Sequence, residues 1–79
     1  MNKNKPVIKQ QEWAKIIGIM PATYSAIKHG NLFTKDKRVA VHMAELWGGA
    51  AIDYIKPSYR DIYGKQWPSL KKVRVVKNG

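Results

Sequence analysis

Apolar residues fall at helical spacing in four stretches of the chain, and the residues between those stretches are ones that stop helices. In residues 10–17, Trp13, Ala14, Ile16 and Ile17 stand at i, i+1, i+3 and i+4. That spacing predicts a two-turn helix, and Gly18 follows as a residue able to turn left-handed. Pro21 suits a first helical position, so a second helix is predicted from there to Lys28, with Tyr24 and Ile27 inward and Gly30-Asn31 at its end. Thr34 reads as the N-cap of a third helix, with Asp36 in its first turn. Val39, Met43, Leu46 and Trp47 mark the inner face of that helix, and Gly48-Gly49 stops it. Residues 50–55 read as a short helical piece closed by Pro57. Tyr59, Ile62 and Tyr63 then share a face before Gly64 breaks the run, and Trp67-Pro68-Ser69 reads as a turn or loop. The pattern predicts an all-α bundle of four to five short helices.

The two ends are less decided. Residues 1–5 are polar and basic, and Pro6-Val7-Ile8 fits either a short strand or an apolar entry to the first helix. After Lys71, Val73 and Val75 alternate weakly, which fits an edge strand as well as a disordered basic arm. The organisation expected is a basic segment over 1–9, a helical core over 10–64 and a basic tail over 65–79.

With 79 residues, only one core is expected, because a second would leave roughly 40 residues for each. There is no cysteine, which excludes a disulfide framework, a thiolate zinc site and a cysteine nucleophile, and suits a reducing cytoplasm. Apolar runs are far too short for a transmembrane span or a signal peptide. Fifteen Lys and Arg against five Asp and Glu give a net charge of +10, so a polyanionic partner is expected. The acids Glu12, Asp36, Glu45, Asp53 and Asp61 all lie in the middle, which leaves both ends purely basic.

Two short helices joined by Gly18-Ile19-Met20 are the arrangement a helix-turn-helix requires. Residues 10–29 resemble the helix-turn-helix DNA-binding domains of phage repressors and Cro-like regulators. The small residue of the first helix is Ala14, the turn glycine is Gly18, and the apolar positions are held by Trp13, Ile17, Ile19, Tyr24 and Ile27. A weaker likeness continues through Trp47-Gly48-Gly49 and Tyr54-Ile55-Lys56-Pro57 to about Tyr63. It departs from larger repressor domains in having no room for a full helix before Gln10.

The resemblance implies that the second helix reads base edges in the major groove. If Tyr24 and Ile27 point inward, Ala22, Ser25, Ala26 and His29 form the opposite face, with Thr23 beside them. Ala22 and Ala26 suit thymine methyl groups, Ser25 and Thr23 suit several bases, and His29 suits a guanine acceptor. The set lacks the bidentate Arg, Asn or Gln that discriminates bases most sharply. Gln10, Lys28, Asn31, Lys35, Lys37 and Arg38 are the expected contacts to the DNA backbone.

On this reading the chain is a sequence-specific, double-stranded DNA-binding repressor of phage or prophage type, nucleoid-associated in the cytoplasm. A homodimer is expected, with Tyr54, Ile55, Tyr59, Tyr63 and Trp67 at its interface. The alternatives are a module that coats DNA or binds RNA with little sequence preference, and an antitoxin-like protein-interaction module. No cofactor, membrane or small-molecule substrate is expected. His42 and Glu45 read as a surface pair, because no second pair completes a metal site. Tyr59, Tyr63 and Trp67 suit either core or dimer contacts or a platform for unpaired bases. No set of residues supports catalysis.

Overall fold

A computed structural model describes residues 9–76; the Pro6-Val7-Ile8 stretch, Lys3, Lys5 and Lys77 lie outside the described residues. Helix α1 spans Gln10–Ile17, with the Lys9 backbone N–H donating to Glu12 Oε1 at 3.2 Å across its start. It ends at Gly18, whose φ of 79° is left-handed. There the Ile19 N–H donates to Ala14 O at 2.9 Å and the Gly18 N–H to Lys15 O at 3.1 Å. These two bonds form a Schellman turn and occupy carbonyls that the helix end would otherwise leave open. Helix α2, Pro21–Lys28, starts on proline and closes in the same way at Gly30, with Asn31 N–H on Ala26 O and Gly30 N–H on Ile27 O. Asn31 does not take positive φ; the left-handed residue is Gly30 alone.

Helix α3, Lys37–Trp47, starts differently from the expectation. Its N-cap is Asp36, whose Oδ1 accepts the Arg38 N–H at 2.9 Å, while Thr34 Oγ1 accepts the Asp36 N–H at 2.9 Å. Thr34 instead makes a parallel bridge to the chain beyond α3: its N–H donates to Tyr54 O and its carbonyl accepts the Lys56 N–H, both at 3.0 Å. Strand β1, Gly49–Ala50, pairs antiparallel with β2, Val73–Arg74, in the register Ala50 to Val73. Of the two readings of the tail, the strand is the one found, although Val73 and Val75 are 68% and 82% exposed.

The expected short helical piece is a 3-10 helix, Ala51–Tyr54, and α4 runs over Pro57–Gln66. Gly64 does not break α4; it is buried inside the helix. A second 3-10 helix, Pro68–Lys71, occupies the expected loop. The boundary drawn at 64 therefore falls within α4, and Leu70 beyond it is a core residue. The all-α bundle with a short terminal strand is the architecture observed.

Helix α3 divides the core into two halves. Val39 and Met43 pack with Ala14, Tyr24 and Ile27 from α1 and α2. Ala40 and Ala44 pack with Ala51, Ile55 and Leu70 from the C-terminal half. Positions 39/43 and 40/44 are adjacent four-residue rows, so one helix presents both. Alanine lines the second row because the 3-10 segment lies close against it.

Two glycines give opposite expectations. Gly18→Ala forces a Cβ into left-handed backbone with no neighbour to relieve, and is expected to cost about 1–2 kcal/mol. Gly64→Ala meets only the flexible Cε of Lys71, at 2.7 Å, and gains helix propensity of up to about 1 kcal/mol. Urea midpoints of the two variants should move in opposite directions.

Candidate nucleic-acid interface

Tyr24 and Ile27 are buried, and the faces of α2 divide as the spacing predicts. Ala22 and His29 are exposed, while Thr23, Ser25 and Ala26 are half-buried. The outer surface of α2 thus consists mostly of small side chains. The backbone turn at Gly18 and the buried Ala14 beneath Tyr24 and Ile27 hold α2 against α1.

The side chains expected at the DNA backbone separate into two groups. Lys28 Nζ donates to Gln10 Oε1 at 3.3 Å and lies 3.8 Å from the centroid of the Trp47 ring. This places the ends of α1, α2 and α3 together. Lys35 and Lys37 instead lie on the α4 side: Lys35 Nζ is 5.7 Å from the Tyr59 ring and Lys37 Nζ is 4.5 Å from the Trp67 ring. Arg38 is exposed and pairs with Asp36 at 3.5 Å, and Asn31 is exposed.

The aromatic residues of α4 form a column. Tyr59 meets Tyr63 edge-to-face at 5.8 Å, and Tyr63 meets Trp67 at 5.3 Å. The Tyr63 hydroxyl donates to Lys35 O at 2.8 Å, and Arg60 lies 5.1 Å from the Phe33 ring. The column thus holds the 33–37 segment, and lysines stand over the Tyr59 and Trp67 rings. Ile55, expected at a dimer interface, is fully buried in the core and cannot meet a partner. Tyr54 is half-buried and its hydroxyl donates to Gly48 O at 3.0 Å.

Beneath α2 lies a polar circuit that spacing alone did not reveal. Trp47 Nε1 is 3.1 Å from the Tyr24 oxygen, which is 2.6 Å from His42 Nε2. An indole N–H can only donate, so the Tyr24 oxygen accepts from Trp47. The buried Tyr24 O–H then has His42 Nε2 as its acceptor when the imidazole is the neutral, Nδ1-protonated tautomer, the assignment that leaves no donor of the circuit unpaired. Burial pulls the His42 pKa below its ordinary value, against the opposing charge of Glu45. Burial raises the Tyr24 pKa, and the Trp47 hydrogen bond partly offsets this. His42 also packs edge-to-face on Trp13 at 5.0 Å, so it is a packing residue and not half of a surface pair. Its position three residues after Val39, beside the inner row of α3, was the available signal.

No family model, curated protein or solved structure matches this chain. Among the described residues, no group of three or more potential metal ligands occurs, and no helix is long and apolar enough to cross a membrane.

The circuit makes stability depend on pH. The unfolded chain takes up a proton on His42 near pH 6.5, and the folded chain resists it, so stability should fall as pH drops below about 6.5 and level off below the folded pKa. His42→Gln should remove that portion of the pH dependence in denaturant titrations between pH 7.5 and 5. Asp36 acts lower. Burial would raise its pKa, but the hydrogen bonds and charge of Arg38 outweigh this, so its contribution is lost as pH falls through its lowered value. Tyr24→Phe leaves both ring nitrogens without the hydroxyl and should cost about 1–3 kcal/mol in the same titration.

Proposed function

We propose that the chain is a helix-turn-helix protein that binds double-stranded DNA through the outer face of α2, acting as a dimeric repressor of phage or prophage type. The observation that carries this reading is the joint of α1 and α2: a fully buried Ala14, a left-handed Gly18 closing α1, and a proline-initiated helix with Ala22 and His29 exposed on its outer face. A net charge of +10 supports a polyanionic partner. Ser25, His29, Ala22, Thr23 and Ala26 face the bases on this reading, and Gln10, Lys28 and Arg38 flank them at phosphates. Lys35 and Lys37 stand apart from these, on the α4 side of the molecule.

A coating protein with little sequence preference is the second reading, favoured by the alanines at 22 and 26 on the outer face. Small side chains make few discriminating hydrogen bonds and leave specificity to DNA shape. For the dimer, Ile62 and Trp67, 54% and 36% exposed on α4, are the contacts best placed to bury apolar surface.

Selection of bound sequences from random duplex separates the two readings. An operator bound orders of magnitude tighter than random DNA supports the repressor, and equal binding supports the coating protein. Ser25→Ala with His29→Ala should change the preferred sequence, whereas Arg38→Ala should weaken all duplexes alike and lower the slope of log affinity against log salt by about 0.9. Sedimentation should give two chains per duplex site, with half-sites about 34 Å apart. One chain on the best site overturns the dimer.

A further inference from the structure

We propose that Trp47 is a positioning residue for DNA binding: its indole face holds the Lys28 ammonium at the α1–α2 edge, where it meets a phosphate. This rests on the DNA reading of α2. The ammonium lies 3.8 Å from the Trp47 ring centroid and donates to Gln10 Oε1 at 3.3 Å, so two contacts from different helices fix its position. The indole itself is fixed, because Nε1 donates to the hydroxyl of the fully buried Tyr24. An ammonium has three donors, and the arrangement uses one on Gln10 and leaves others for an anion. Lys28 is half-buried, where most described lysines are exposed, so less rotamer freedom remains to be lost on binding. The same lysine on a bare helix would be ordered only at the moment of contact.

The test combines binding with a DNA-independent readout in the full chain. Proton NMR should show the Lys28 Cε protons shifted upfield by the indole ring in the wild type, and unshifted in Trp47→Leu. Trp47→Phe keeps a ring but loses the indole N–H, and should keep most of the binding. Trp47→Leu should weaken duplex binding about three- to tenfold, the scale of a partly desolvated cation–π contact. In a Lys28→Gln background the same change should cost nothing further, while Lys28→Arg should bind normally and depend on Trp47 as lysine does. An equal loss from Trp47→Leu with and without Lys28 overturns the proposal, as does an unshifted Lys28 signal in the wild type. If the wild-type chain binds no duplex at all while the Lys28 shift is present, the DNA reading fails and the positioning role falls with it. Thermal melts check that each variant is folded at the binding temperature. If Trp47→Leu does not fold, equal binding by Trp47→Phe and its Lys28→Gln double variant overturns the proposal, and weaker binding by the double variant supports it.

Discussion

The phenol of Tyr24 is fully buried in the core beside Ala14 and Ile27, and a buried hydroxyl without a partner is costly. Its ring is fully enclosed, so its oxygen has to be satisfied from within. Helix α3 does this twice, with His42 offering an acceptor and Trp47 a donor. Because the indole N–H can only donate and the buried hydroxyl needs an acceptor of its own, the orientation of α3 against α2 is specified by hydrogen-bond direction as well as by shape. Trp13 then closes against His42 and Gln10 against Lys28, which ties α1 into the same circuit. The relation of the first two helices, on which any reading of DNA would depend, is therefore held by the third.

The C-terminal half is held by other means. Its core row is mostly alanine, with Ile55 and Leu70 as the larger members, and small residues bury little area each. Backbone pairing supplies what that row lacks. Thr34 bridges to Tyr54 and Lys56, joining the segments before and after α3, and β1 pairs with β2 beyond it, so main-chain bonds that side-chain volume does not set hold this half together. Arg60 adds to this by donating to Ile55 O and Asp53 O at 2.9 and 3.1 Å. In a domain of this size, such bonds stabilise an arrangement that the hydrophobic row alone would hold weakly.

Local signals read well where they were strong and unopposed. Gly18, Pro21 and Gly30 bound α1 and α2 at the expected residues, because each acts through its own backbone. Thr34 was misread because a hydroxyl that can cap a helix can also accept from Asp36 while its backbone joins a distant segment, and only tertiary contact decides between them. Gly64 was misread for a similar reason. The α4 ladder continues through it, and only the flexible end of the Lys71 side chain lies where its Cβ would stand. Ile55, expected at a dimer interface, is buried instead because Leu70, from the segment beyond residue 64, packs into the same core cluster. His42 stands beside the inner row of α3, three residues after Val39, but its partner Tyr24 lies 18 residues away, and no local pattern joins the two.

The basic surface carries a further constraint. A net charge of +10 on one small domain repels itself, and each lysine left free adds to that cost. The fold places Lys28 on Trp47, Lys35 on Tyr59, Lys37 on Trp67 and Arg60 on Phe33, so cations from several elements lie over aromatic rings. A ring face attracts a cation without neutralising it, unlike a carboxylate, so the positive potential toward solvent is kept while the side chain is held in place. With only five acids in the chain, aromatic residues take up part of the organising role that ion pairs would otherwise fill. This explains why a domain with so modest a core contains three tryptophans and four tyrosines, and why several of them lie at its surface instead of its centre.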